Sequence, residues 1–222
     1  MREQYRRDLR DLRADVVAIV HVIEDVTRGA VQSLVNGDVT LANEMIAREE
    51  DIDSMCLNIE ETVFELMATQ YPVARDLRLL MSLAYIASDL ERMGDHAHSI
   101  AKATARTAYR RGPQTLYDLI KAQGNLVYRV LGSMRTSLDD LDIDEALGLD
   151  QLDEPVDHLY KQFFGELGRL TDEEDIEWAS RMIMASRSLE RISDYAVDIG
   201  ERIVYLVTGD RDLSAEDVTE DN

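Results

Sequence analysis

Between residues 73 and 108 the apolar positions fall on one stripe, Leu79, Leu83, Ile86, Leu90, Met93, Ala97 and Ile100, with steps that alternate four and three. That spacing keeps the side chains on one face of an α-helix and makes a bundle seam. Residues 173–207 repeat the stripe as Trp178, Met182, Ala185, Leu189, Ile192, Ala196, Ile199, Ile203 and Leu206. Each segment predicts a helix roughly 50 Å long at 1.5 Å per residue. Breaks fall at VNGDVT (35–40), TQYPVARD (69–76), YRRGPQT (109–115), LDDLDID (138–144) and GELGRLTDEE (165–174). Gly37 supplies a stop and Asp38 or Thr40 a cap, while Pro72 and Gly112-Pro113 punctuate later junctions. The breaks predict six helices, over about 3–36, 38–70, 73–109, 114–140, 142–168 and 173–208.

The pattern is duplicated. DLERMGDHAHSIA (89–101) returns 99 residues later as SLERISDYAVDIG (188–200), and EEDIDSMCLNI (49–59) aligns with DEPVDHLYKQF (153–163) at a shift of 104. The change in shift places a five-residue difference in the loop before the third helix of each half. The expected fold is all-α, two tandem three-helix bundles built by an internal repeat. Residues 1–111 form the first repeat, 112–208 the second, and 209–222 an acidic, disordered tail.

Composition narrows the function. The net charge of −21 argues against direct nucleic-acid binding. The basic residues are 21 Arg and 3 Lys, and an acidic, Lys-poor surface resembles proteins of salt-loaded cytoplasms, such as those of salt-adapted archaea. Cys56 is the single cysteine, so a reducing compartment fits and no intrachain disulfide forms. No secretory signal or transmembrane run is visible, and a cytoplasmic location is expected.

Glu91 and Asp95 stand i,i+4 on one helix face, as do Glu190 and Asp194. Glu49 and Asp53 repeat the spacing in the second helix of the first half, Asp153 and Asp157 in that of the second half. Like charges at this spacing weaken a helix slightly, so their recurrence at matching positions asks for a reason. Glu91 lies about 200° around the helix from seam residue Met93, which turns the carboxylates away from the seam. If neighbouring flanks face one another, four carboxylates converge in each half. A hard oxygen cluster of that kind suits Mg, Ca, Mn or Fe, not structural Zn. The competing reading is a solvated acidic face. Arg92 and Arg191 tie down a neighbouring helix, bind an anion, or bridge to an acid such as Asp89. The histidines His21, His96, His98 and His158 share no spacing between the halves and read as structural or exposed. Arg106, Arg110 and Arg111 complement the C-terminal dipole of the third helix.

QYPVARDLRLLMSLAYIASDLERMGDHAHSIA (70–101) resembles the signature of the PhoU family, a Gln-x-Pro-Val-Ala-x-Asp-Leu-Arg segment followed by Asp-Leu-Glu-Arg-x-Gly-Asp. The six-helix, two-repeat layout is similar to that family over residues 3–207. The second half departs from it: GRLTDEEDIEW replaces the Pro-Val-Ala segment, and Ile192-Ser193 stands where the first half has Met93-Gly94. The resemblance implies a regulator of phosphate uptake and phosphate-starvation signalling, not an enzyme. It implies a cytoplasmic partner of the ATPase subunit of a phosphate ABC transporter and, where one is present, of a sensor histidine kinase; we also expect a homodimer. It further implies multinuclear binding of divalent or trivalent metal ions, drawn from Fe, Mn, Mg or Zn, at Glu49, Asp53, Glu91, Asp95, Asp153, Asp157, Glu190 and Asp194. The alternatives are a ferritin-like di-metal carboxylate enzyme, which needs Glu-x-x-His on two helices where this chain has Asp95-x-x-His98 alone, and a metal-free helical scaffold.

Overall fold

A computed structural model of the chain describes residues 2–210, all of it helix and connecting turn. The first repeat contains α1 (Arg2–Asn36), α2 (Val39–Ala47), α3 (Glu49–Gln70) and α4 (Ala74–Thr107); the second contains α5 (Gln114–Asp140), α6 (Ile143–Leu147), α7 (Leu149–Leu167) and α8 (Glu173–Thr208). Each half is a three-helix bundle in which the middle helix is bent, so the six expected helices appear as eight segments among the described residues. The bends fall at Arg48 and Gly148, which keep right-handed backbone (φ −79°, ψ −9° and φ −74°, ψ −13°). At Arg48 the N–H bonds Met45 O three residues back, at 3.2 Å. The turn tightens there and lets the helix change direction without a loop. Most of the tail expected from residue 209 lies outside the described residues.

Local chemistry sets the remaining boundaries. Gly37 takes a left-handed φ of 69° after α1, and Asp38 then accepts from Leu41 N at 3.0 Å to cap α2. Asp142, its counterpart at the shift of 104, accepts from Glu145 N at 3.0 Å. Asp172 caps α8 by accepting from Asp175 N at 3.1 Å. The first half's signature loop is strained, with Tyr71 (φ 48°) and Ala74 (φ 47°) both left-handed without being glycine.

The halves share one core. α4 packs most extensively on α8, α1 lies on α4, and α5 on α8. Leu83, Ile86, Leu90, Met93, Ala97 and Ile100 are fully buried, as are Leu189, Ile192, Ala196 and Ile199; only Leu79 of the expected stripes is part-exposed, with Leu80 buried beside it. Equivalent residues of α4 and α8 meet: the rings of His96 and Tyr195, 99 residues apart, lie 5.9 Å apart, tilted by 31°. Arg202 sits over Tyr85 while Ala103 and Met184, their counterparts, line one furrow. The pair therefore runs antiparallel about a pseudo-two-fold axis near its middle. Each end is tied by an arginine. Arg78 Nε donates to Leu206 O at 3.0 Å near the C-terminus of α8. Arg110 reaches Asp175 at 2.7 Å and Glu174 near its N-terminus. Arg110 thus belongs to a tertiary ion-pair cluster rather than only complementing the end of α4.

Close approach is visible at Gly200, where an added Cβ would lie 2.7 Å from Leu149 Cδ1 and 2.9 Å from Ala146 O. Among the described residues no helix is long and apolar enough to cross a membrane. Leu189→Ala should cost about 2–5 kcal/mol in urea unfolding, because its site is closed on all sides. Gly200→Ala should cost about 1–3 kcal/mol by forcing α8 off α6.

Candidate metal centre

In the second half, α7 and α8 bring Asp153, Asp157 and Asp194 together, with one ligand oxygen from each within 4.8 Å of the others. The spacing explains it: Asp153 and Asp157 share the α7 face that α8 covers, and Asp194 projects from α8 towards them. Glu190, one turn before Asp194, is only 7% exposed. Its carboxylate does not turn away from the core as the helical angle predicts. Helix α8 is packed on several sides, and burial there takes in the flank as well as the seam. Among the described residues the buried Glu190 Oε2 has no hydrogen-bond partner, and the buried Asp153 Oδ1 and Ser193 Oγ have at most each other. An orphan carboxylate oxygen beside the three aspartates fits a cation-binding role.

Positive side chains also stand at this cluster. Arg191 reaches Asp194 at 2.7 Å, Lys161 reaches Asp157 at 3.4 Å, and Arg187 pairs with Glu190. Even so, burial pushes the Glu190 carboxyl up to about 6, with Asp194 adding to the effect. Asp153 is likewise raised, first by burial, with Asp157 and Asp194 contributing and Ser193 opposing.

The first half does not close in the same way. Among the described residues no trio from Glu49, Asp53, Glu91 and Asp95 reaches ligand spacing. Asp53, Glu91 and Asp95 are exposed, yet the Glu91 carboxyl is raised, first by partial desolvation and then by Asp53, Asp95 and Glu60 nearby. Glu49 turns instead to His98 Nδ1. His98 is 5% exposed, and among the described residues its Nε2 has no hydrogen-bond partner. This histidine belongs with the first acid group, contrary to the expectation that the histidines are merely structural or exposed. The sequence signal was its place seven residues, two helical turns, after Glu91. Cys56 lies against the same group, and burial together with Glu91, Asp53 and Glu60 pushes its thiol up to about 12. It stays neutral. Arg92 reaches back to Asp89 at 3.9 Å.

The PhoU domain model matches residues 16–104 and 120–203, one copy in each half. The chain is 32% identical over 209 residues to a phosphate-specific transport system accessory protein PhoU homolog of Pseudomonas aeruginosa, covering 93% of this chain and 86% of that protein. It is 31% identical to the protein of the same description from Deinococcus radiodurans, over 96% of this chain and 100% of the relative. Its fold is similar to the crystal structure of PhoU from Pseudomonas aeruginosa, with a TM-score of 0.88 at 31% identity, over 93% of this chain and 100% of that one. It is also similar to the phosphate transport system regulatory protein PhoU from Streptococcus pneumoniae, with a TM-score of 0.84 at 29% identity, over 94% of this chain and 100% of that one.

The raised Glu190 carboxyl has a definite sign. Its ordinary value of 4.5 rises to about 6 in the fold, so folding favours the protonated form. The stability it allows is complete below the ordinary value and is lost as pH climbs through about 6. In chelator-treated protein, urea midpoints should fall over that window. Glu190→Gln should remove about 1–2 kcal/mol of the fall, leaving the contributions of the other raised carboxyls, Asp89, Glu91, Asp153 and Asp198.

Proposed function

The chain belongs to the PhoU family, and from that premise we propose that it is a cytoplasmic, metal-binding regulator of phosphate-specific transport. In this reading it is an adaptor and not a catalyst. It acts on the ATPase subunit of the phosphate ABC transporter and, where one is present, on a sensor histidine kinase. The observation that carries the metal part is the Asp153, Asp157 and Asp194 cluster, with the buried, unpartnered Glu190 oxygen beside it. Four carboxylates in a partly dry groove repel one another strongly, and a divalent or trivalent cation removes that repulsion. Asp153, Asp157, Glu190 and Asp194 would hold one centre. Glu49, Asp53, Glu91 and Asp95 would hold the other, with rotation of exposed side chains needed to close it. Iron, manganese and magnesium suit the oxygen donors. The ferritin-like alternative is weakened at its Glu-x-x-His requirement, because Val197 occupies the second-half counterpart of His98.

The partner part draws on the names of the relatives and on one surface feature. Leu77, Met81 and Tyr85 follow one another at steps of four along the start of α4, with Val73 just before the helix, and all four are exposed. An apolar stripe of this kind beside the signature loop suits a protein contact.

Wild-type protein purified without a histidine tag and dialysed against Fe, Mn or Mg should retain metal by elemental analysis. Asp194→Asn should lower the content of the second centre and spare the first. Wild-type content no higher than that of the Asp95→Asn/Asp194→Asn double variant would end the metal reading. Separately, Leu77→Ser/Met81→Ser should abolish capture of the transporter ATPase subunit from native extract while leaving the thermal melt unchanged. Undiminished capture would remove the stripe from the interface.

A further inference from the structure

The face formed by α4 and α8 carries furrows at both ends, exchanged by the pseudo-two-fold axis. One end, a groove of about 660 Å³, is lined by Lys102 and Arg106 of α4 and by Arg181 and Arg187 of α8, against one acid, Glu177. Three hydroxyls, Ser99, Ser180 and Ser188, lie among the cations. At the other end the counterparts of the four cations, at the shift of 99, are Glu201, Tyr205, Ser82 and Ser88. Ser99 and Ser188 become Asp198 and Asp89, which line the opposite furrow with Glu201, Arg202 and Tyr205. The related end has two arginines of its own, but Arg78 is bonded to Leu206 O and Arg202 lies over Tyr85 beside three acids, Asp89, Asp198 and Glu201, so packing the two helices together does not require cations at these four positions. Yet in a chain of net charge −21 they gather at one end. Lys102 and Arg106 have no ion-pair partner within 4.0 Å among the described residues, whereas Arg181 is held by Glu177 at 3.0 Å and Arg187 by Glu190.

We propose that this furrow binds a phosphate-chain anion, either an inorganic polyphosphate or the triphosphate of a nucleotide. Arginine forks and a lysine ammonium are the donors that phosphoryl oxygens take, and serine hydroxyls between them supply further hydrogen bonds. The groove has the volume of a small-molecule site, larger than one orthophosphate needs. Cations facing each other from two helices suit an anion whose charge is spread along a chain. Ala103 and Met184 give an apolar patch between them, which leaves room for a base if the ligand is a nucleotide. The inference does not depend on the metal centres or on the transporter.

The test is calorimetric titration of the full chain, in chelator and at low salt, with sodium tripolyphosphate, ATP and orthophosphate as probes. One tripolyphosphate or ATP should bind per chain, and orthophosphate more weakly. Lys102→Ala/Arg106→Ala should weaken binding by about tenfold or more, the scale of one lost charge-assisted contact. Lys121→Ala/Arg129→Ala removes the same charge from exposed sites on α5 and should change it by less than about twofold. All four positions are exposed, so matched thermal melts verify the fold. Tripolyphosphate binding as tightly as ATP identifies the bare chain as the ligand; tighter ATP binding identifies a nucleotide. The proposal is overturned if neither chain anion saturates by about 1 mM, if the two double variants weaken binding equally, or if orthophosphate binds as well as the longer anions.

Discussion

The antiparallel packing of α4 on α8 is the constraint from which the rest of the molecule follows. Each helix buries its seam, Leu79 apart, against the other and against α1 or α5, so neither half has a closed core alone. The contact of His96 with Tyr195 marks the axis, and Arg92 and Arg191 both lie over the same tyrosine ring, at 5.9 and 4.7 Å. Once the seams are fixed, a helix of 3.6 residues per turn has no freedom in where its carboxylates emerge. They emerge on the flanks, where α3 and α7 bring the second pair of acids. Both acid groups and both furrows are thus consequences of one helix pair and its symmetry.

The two acid groups differ because their counter-charges differ. Around Asp153, Asp157, Glu190 and Asp194 stand Lys161, Arg187 and Arg191, each held to one carboxylate. At the equivalent positions of the first half are Leu57, Ser88 and Arg92, and Arg92 turns to Asp89. With neighbouring cations the second group draws in to ligand distance and tolerates burial. Without them, the first group spreads into solvent and Glu49 finds His98. Coulombic repulsion at a few ångströms, screened where water reaches it, accounts for the contrast. The repeated motif is the same; what surrounds it decides how tightly it gathers.

The helices, their seams and the duplication were legible because alternating steps of four and three have one structural solution. The cap at Asp38 followed from a side chain that competes for backbone N–H groups at a helix start, and the duplication repeats it at Asp142. The bend at Arg48 was hidden, since nothing about an arginine between Ala47 and Glu49 announces a tightened turn. Glu190 was assigned to an outward flank from its angle alone, which describes one helix and not the neighbours that close over it. His98 was set aside for lack of a partner in the other half, although its two-turn spacing from Glu91 placed it on the acid face. The basic furrow was invisible for a different reason. Lys102 and Arg187 are 85 residues apart in sequence, and only the antiparallel pairing puts them across one groove.

Arg187 joins the acid group of the second half to the basic furrow between α4 and α8. Its guanidinium holds Glu190 in the acid group, lies 5.5 Å from the centre of the Tyr160 ring, and lines the basic furrow. A cation that took the Glu190 oxygens as ligands would release this guanidinium from its carboxylate. An anion in the furrow would then meet one more unpaired donor. The reverse holds by thermodynamic necessity: an anion that drew Arg187 away would leave Glu190 with less compensation and raise the affinity of the acid group for a cation. The first half has no such bridge, because Ser88 stands at the equivalent position and cannot span an acid site and a furrow. The duplication therefore leaves a symmetric frame with an asymmetric wiring of charge, and any coupling between cation and anion through this pairing is confined to the second half.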